Sequence, residues 1–116
     1  MHAIVMTFDL VDMTPEQYAR LSAELAPSFA AQPGLLTKIW LTDTDHGRCG
    51  GFYLFKDDET AEGFLKSALA LSVAQNPHFA NCTAQRFTVD QTTTTETQPK
   101  IKVVPAIDPG WPQEGW

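Results

Sequence analysis

The sequence predicts an α+β domain in which two helices cover one face of a four-stranded antiparallel sheet. The first observation is a pair of apolar runs, 35–41 and 51–55, which flank a polar turn and are typical of a β-hairpin. The second is an amphipathic segment on either side of this hairpin, with apolar residues at helical spacing. The third is an apolar, β-branched stretch near each end of the segment 1–90, which supplies the two remaining strands.

Local signals mark the first strand and the first helix. Residues 2–9 are β-branched and aromatic with polar positions between them, as in a strand. Thr14 and Gln17 have the spacing of a capping box, which satisfies two backbone N–H groups at a helix start. The apolar stripe that follows predicts a helix over 15–31. Pro27 is expected to kink this helix or to divide it into two shorter pieces.

The hairpin contributes strands two and three, and the rest of the domain follows it. Acidic residues open a second helix, predicted over 59–73, because the helix dipole favours negative charge there. Residues 84–89 form a fourth strand. The order β-α-β-β-α-β is ferredoxin-like, with both helices on one sheet face. The other face is also apolar and must be covered, so we expect a homodimer formed through the sheets.

The last part of the chain differs in composition from the domain at 1–90. Residues 91–116 form a separate extension, which begins with a Thr-rich linker at 91–98 that has no apolar residue. An edge strand is predicted at 100–107. The tail that follows carries two of the three tryptophans. Such large apolar groups favour docking on the chain's own domain or on a partner; the alternative is a disordered end.

Composition and charge exclude several classes of function. The net charge of −6 argues against nucleic-acid binding, which rests on cations that neutralise phosphates. No apolar run is long enough to span a membrane, and no signal-peptide pattern opens the chain, so a cytoplasmic location is expected. Cys49 and Cys82 precede strands that lie on either side of strand one, so two free thiols are expected. The cysteines and histidines lack metal-ligand spacing.

Two stretches carry a resemblance to a known family. QPGLLTKIW at 32–40 and GGFYLF at 50–55 are similar to segments of the YdhR-like family of mono-oxygenases, and the resemblance covers about residues 3–90. It implies a dimeric α/β barrel, related to antibiotic-biosynthesis monooxygenases. It also implies oxygenation of an aromatic or polyketide-like substrate without metal, flavin or haem. Cyclases, lyases, isomerases and ligand-binding modules share this fold and remain alternatives.

The register of the hairpin determines which side chains face a common ligand. If Leu41 pairs with Gly50, Trp40 lies opposite Gly51, and the missing side chain leaves space beside the indole for a flat ligand. A one-residue slip would move half of these side chains to the other face. The alternative is that the aromatic residues are simply core. The candidates on this side are Lys38, Trp40 and Phe55 for substrate binding, Tyr53 for catalysis, and Phe64 from the second helix for substrate binding.

The remaining candidates are polar residues at the sheet ends and in the last strand. His78 is expected in a loop with Asn81, and near neutral pH it could remove a proton from a phenol or enol; the alternative is a solvated or helix-capping histidine. Arg48 in the hairpin turn could hold a substrate oxyanion, or it could be a solvated turn residue. Arg86 is either an oxyanion clamp or the partner of an acid such as Asp9, and the partner is favoured.

Overall fold

The computed structural model describes residues 1–97. The predicted edge strand at 100–107 and the tryptophan-bearing tail lie outside the described residues. Among the helices described, none has the length and apolar character needed to cross a bilayer. The elements, in chain order, are β1 (His2–Leu10), α1 (Pro15–Ala30), β2 (Leu35–Asp43), a 3-10 turn (Thr44–His46), β3 (Arg48–Phe55), α2 (Asp58–Leu65), α3 (Ala68–Gln75), β4 (Phe79–Thr88) and α4 (Gln91–Thr95).

The four strands form one antiparallel sheet in the order β2-β3-β1-β4. This is the predicted ferredoxin-like fold. Of the two hairpin registers considered from the sequence, the structure has the one in which Leu41 pairs with Gly50 and Lys38 pairs with Tyr53. Gly50 is required by the close approach of β1, because a Cβ at this position would lie 2.0 Å from the carbonyl oxygen of Met6.

The helices α1, α2 and α3 lie on one face of the sheet, as predicted. Side chains of β1 and β3 alternate, so that Ile4 and Phe55 are fully buried against the helices. The opposite face of the sheet carries apolar side chains that no other element of residues 1–97 covers. Ile39 is 41% exposed, Leu41 is 38% exposed and Phe87 is 51% exposed. These three residues, from the two edge strands, define what we call the open face.

The first helix begins as predicted, at Pro15, and ends at Ala30, one residue before the predicted end. The Thr14 hydroxyl accepts a hydrogen bond from the backbone N–H of Gln17, and the Gln17 side chain accepts one from the backbone N–H of Thr14. The predicted division into two helical pieces at Pro27 is wrong, because α1 is one continuous helix. Pro27 stands close to the C-terminal end, where it removes only one backbone hydrogen bond.

The prediction of a single second helix over 59–73 is also wrong, because the structure has two short helices there, α2 and α3. Ser67 interrupts it: the Ser67 hydroxyl accepts a hydrogen bond of 3.1 Å from the backbone N–H of Ala70 and caps α3. A serine side chain that bonds to the backbone competes with the continuation of a helix. Asp57 caps α2 in the same manner, with its Oδ1 accepting from the N–H of Thr60 at 2.8 Å.

The end of the domain also departs from the prediction. β4 begins at Phe79, five positions earlier than residue 84, because the Phe79 ring stacks on Phe8 of β1 at a centroid distance of 4.2 Å. The segment predicted as a linker at 91–98 contains a short helix. Asp90 accepts a hydrogen bond of 3.1 Å from the N–H of Thr93 and starts the short helix α4.

Both cysteines are free thiols, as predicted. Cys49 of β3 is paired with Phe8, whereas Cys82 lies in β4 on the other side of β1. The intervening strand keeps the two residues beyond the separation that a disulfide tolerates. Within residues 1–97, no three His, Cys, Asp or Glu side chains come together as metal ligands would.

Candidate active site

A cavity of about 500 Å³ lies between the first turns of α1 and the turn end of the β2–β3 hairpin. Its walls are mainly apolar. It is formed where β1 ends and the chain crosses over the sheet to enter α1, so the helix start, the hairpin tip and the strand ends all border it. The residues that line it include Met13, Tyr18, Ser22, Trp40, Asp43 and Cys49.

Trp40 forms one wall of this cavity. Its indole meets the Phe29 ring of α1 edge to face, with centroids 5.4 Å apart and planes at 85°. The prediction that Gly51 leaves open space for a ligand beside Trp40 is wrong. A Cβ on Gly51 would lie 3.0 Å from Cε of Lys38 and 3.2 Å from Cε1 of Tyr53, so those two side chains occupy the space.

A second, inner cavity of about 20 Å³ lies deeper between α1 and the sheet. It has room for about one water-sized atom. Lys38 and Tyr53 line it, and it shares three lining residues with the outer cavity: Tyr18, Ser22 and Trp40. The structure therefore brings together three of the predicted residues, Lys38, Trp40 and Tyr53, on the helix-covered face.

The amine of Lys38 lies among aromatic rings. Its Nζ is 3.3 Å from the ring centroid of Phe29 and 3.3 Å from that of Trp40, and it is 4.8 Å from that of Tyr53. Burial lowers the pKa of the Lys38 amine to about 7. Burial also raises the pKa of the Tyr53 phenol, and the nearby Tyr18 and Cys82 raise it further. Tyr53 is therefore a neutral hydrogen-bond donor at physiological pH.

Ser22 is a functional candidate that the sequence analysis missed. Its Oγ is buried without a hydrogen-bond partner in the part of the chain that the structure describes, and the residue lines both cavities. Burial raises the pKa of the Tyr18 phenol, and the neighbouring Ser22 hydroxyl lowers that pKa by a smaller amount, although the geometry between the two side chains falls short of a full hydrogen bond. A serine one turn after Tyr18, on the apolar stripe of α1, is the signal that could have identified it.

Phe55 and Phe64 belong to the core instead of the cavity wall. They are 0% and 3% exposed, and their ring centroids are 5.4 Å apart. Neither residue lines the cavity beside Trp40. Phe64 does border a separate surface groove of about 510 Å³, which lies between the end of α1 and α2 and also includes Pro33 and Lys56.

Arg48 and Asn81 do not line the outer or the inner cavity and lie on the same side of the sheet as the open face. The Arg48 Nε is 3.4 Å from Oδ1 of Asp9. The Asn81 Nδ2 donates a hydrogen bond of 2.9 Å to Oδ2 of the same carboxylate. Asn81 is not in a loop as predicted, but within β4, where it adopts a left-handed φ of 54° at the irregularity in the β1–β4 pairing.

His78 lies just before β4 and ties the chain to the end of β1. Its Nδ1 is 2.8 Å from the carbonyl oxygen of Val11, and its backbone N–H donates to Oδ1 of Asn76 at 2.9 Å. His78 is not among the residues that line the outer or the inner cavity. The structure thus separates the predicted base from the cluster around Trp40.

Arg86 pairs with an acid, but the acid is not Asp9. The Arg86 guanidinium donates to the Asp58 carboxylate at the start of α2, and its Nε is 3.4 Å from Nε2 of His2. Arg86 is paired in register with the buried Ile4, so it faces the helices. Asp9 belongs to the alternate set of β1 side chains and faces the other way.

Comparison with known families and structures supports the predicted resemblance. The family described as "Putative mono-oxygenase ydhR" matches residues 4–100, which extends ten positions beyond residue 90. A search of curated proteins finds no match to this chain.

Three solved structures illustrate the shared fold. NE2512, a protein of unknown function from Nitrosomonas europaea, is 15% identical with a TM-score of 0.63, over 76% of this chain and 87% of that chain. SnoaB, a cofactor-independent oxygenase from Streptomyces nogalater, is 21% identical with a TM-score of 0.60, over 76% and 91%. MhuD, a heme-degrader from Mycobacterium tuberculosis, is 16% identical with a TM-score of 0.61, over 78% and 96%.

At these identities the structures establish a common fold, and the family match covers most of the chain. Together with the confirmed strand order and hairpin register, they lead to one assignment. The chain belongs to the family described as "Putative mono-oxygenase ydhR".

Proposed function

We propose that this protein is a cofactor-independent monooxygenase that binds an aromatic or polyketide-like substrate in the cavity beside Trp40. The observation that carries the proposal is the cavity itself: about 500 Å³ of mainly apolar space, bounded by an indole and, at Ser22, by a buried hydroxyl that has no full hydrogen bond within residues 1–97. A flat ring can pack against the indole. A substrate hydroxyl or carbonyl can then satisfy the Ser22 hydroxyl, whose unpaired burial otherwise costs about 1–3 kcal/mol.

The chemistry requires an electron-rich form of the substrate. A ring ketone with an acidic CH₂ group loses a proton to give an enolate, which donates an electron to dioxygen. The resulting substrate radical and superoxide combine, which forms the C–O bond of a peroxide. The peroxide takes up a proton and loses water, and a new carbonyl remains. One oxygen atom of O₂ enters the product and the other becomes water, so the substrate supplies both electrons. The neutral Tyr53 phenol is suited to donate a hydrogen bond to the oxyanion, because burial keeps its pKa raised.

Anthrone is a suitable test substrate, since its CH₂ group is acidic and its oxidation gives anthraquinone. We expect the protein, treated with chelator and free of flavin, to consume one O₂ for each anthraquinone formed. Trp40→Ala should reduce the rate at least about tenfold. Leu71→Ala, at an exposed site on α3, is the matched control and should leave the rate unchanged. Conversion of anthrone without oxygen uptake would support a cyclase, lyase or isomerase and contradict the proposal.

We also propose that a second copy of the chain covers the open face. Ile39, Leu41 and Phe87 are each more than a third exposed there. Because about half of each side chain is already buried, covering the remainder contributes about 1 kcal/mol per residue. Association of two open faces therefore removes these three apolar side chains from water, and it leaves the cavity beside Trp40 on the other side of the sheet.

A further inference from the structure

The position of the Lys38 amine has a chemical consequence for the proposed reaction. Lys38 is held on the helix-covered face of β2 by its register opposite Tyr53. Its Nζ contacts the faces of Phe29 and Trp40. Within residues 1–97, no carboxylate oxygen lies within 4 Å of Nζ. The amine is thus a half-buried basic group, and no countercharge among the described residues keeps it protonated.

Two opposing effects set the protonation of this amine. The faces of the aromatic rings favour the cation, whereas removal from water favours the neutral form. Burial is the cause that lowers the pKa of Lys38 to about 7. A large fraction of the amine is therefore neutral at pH 7 to 8, and its lone pair is available to accept a proton.

The groups around Lys38 do not compete for that proton. The inner cavity is lined from α1, α3 and all four strands, and its other titratable groups are the phenols of Tyr18 and Tyr53. Burial raises the pKa of both phenols, so both stay neutral while Lys38 titrates. No charged side chain other than Lys38 lines the inner cavity.

The inner cavity also gives the amine a route to the substrate. It holds about 20 Å³, enough for one oxygen atom or one water, and it adjoins the outer cavity at Trp40 and Ser22. A ring that lies against the indole in the outer cavity can place its acidic group at this opening. The proton can then pass to the amine directly or through one water molecule, and a general base is effective by either route.

We propose that the Lys38 amine is the general base that removes the proton from the bound substrate. This inference rests on the proposed function, because it assigns the base for the enolate-forming step. The C–H bond of the substrate breaks, its electron pair remains on the substrate as the enolate, and the proton forms the ammonium of Lys38. Release of that proton to solvent restores the neutral amine for the next turnover.

The first experiment isolates proton removal from the reaction with oxygen. Anthrone is incubated with the protein in D₂O without oxygen, and deuterium uptake at its CH₂ group is followed by mass spectrometry. We expect the wild-type protein to accelerate uptake, with a rate that rises with pH through about 7 and then levels off. Lys38→Met should slow uptake about 100-fold or more. Lys38→Arg should do the same, since arginine keeps its proton. Lys66→Met, at a surface ion pair with Glu62, is the matched control.

A second measurement reports on the amine without any turnover. In protein labelled with ¹³C-lysine, the Cε resonance that disappears in Lys38→Met should titrate with a midpoint near pH 7. Titration above about pH 9 would overturn the proposal, as would wild-type deuterium uptake that Lys38→Met leaves intact or that only His78→Ala abolishes. Deuterium uptake that depends on Lys38, without any oxygen consumption in air, would overturn the proposed function and uphold Lys38 as the base.

Discussion

A Cβ atom on Gly51 would lie only 3.0 Å from Cε of Lys38. The absence of a side chain at position 51 therefore makes room for the lysine stem on the neighbouring strand. Because Trp40 is the residue directly opposite Gly51, the lysine crosses this gap and reaches the face of the indole, 3.3 Å from its centroid. The placement of the amine thus depends on a glycine as much as on the aromatic rings.

Gly51→Ala should displace Lys38 and weaken the site. The added methyl group overpacks a filled space, which we expect to destabilise the protein by about 1 kcal/mol and to slow deuterium uptake into anthrone about tenfold. Gly63→Ala is the matched control, because nothing lies within 4 Å of its added Cβ. In the helix α2 this change should stabilise by about 0.5–1 kcal/mol. Urea unfolding gives both values, and equal behaviour of the two variants would contradict the prediction.

Lys38→Met should stabilise the protein at low pH and lose this advantage as the pH rises. Burial lowers the pKa of Lys38 to about 7 in the folded state, whereas the unfolded chain keeps its proton up to about 10.4. Below pH 7 both states hold the proton and the cost of burying the charge is complete. Between these pKa values the unfolded state binds more protons, so wild-type stability rises with pH.

The effect can be followed by urea unfolding at about pH 6 and about pH 9.5. We expect Lys38→Met to exceed wild type by about 1 kcal/mol at the lower pH, an amount that allows for partial exposure to solvent, and by much less at the higher pH. Lys66→Met should show no such pH dependence, because that side chain is 75% exposed. A gain that does not change with pH would contradict the proposal that the half-buried Lys38 charge destabilises the folded state.

Phe87→Glu should disrupt the proposed dimer. Phe87 is 51% exposed on the open face, and a carboxylate there would be buried without a partner if two faces met. Sedimentation velocity at micromolar concentration should give a dimer for wild type and a monomer for the variant. Leu71→Glu places the same charge at a 46% exposed leucine on α3, away from the sheet. A wild-type monomer, or a variant that stays dimeric, would contradict the prediction.

Ser22→Ala should weaken substrate binding without lowering the stability of the protein. Its Oγ is buried without a partner among the described residues, so removal of the hydroxyl should leave the free energy of unfolding unchanged or raise it by about 1 kcal/mol. Binding of anthrone, measured by quenching of tryptophan fluorescence, should weaken about fivefold. Ser72→Ala, whose hydroxyl bonds to the Leu69 carbonyl oxygen on the surface of α3, should alter neither binding nor the cavity.

Much of the fold followed from patterns between residues close in sequence. The capping box of Thr14 and Gln17 marks the start of α1, and the short hairpin turn sets the pairing of Trp40 with Gly51, because both interactions are local. One failure, the division of the second predicted helix by the Ser67 cap, has a local cause, whereas the misplaced start of β4 has a tertiary cause. The early start of β4 at Phe79 depends on the Phe8 ring of a distant strand, and no pattern within β4 contains that information.

The sequence by itself determined that Lys38 and Trp40 share one face of the hairpin, because side chains alternate along a strand, and it placed Tyr53 on that face in one of two possible registers. Only the tertiary structure decided what that face meets. Phe29 of α1 closes over the Lys38 amine, while His78 bonds to the Val11 carbonyl oxygen, 67 positions away along the chain. Burial and charge depend on contacts between distant segments, so the pKa of a side chain follows from how the helices cover the sheet.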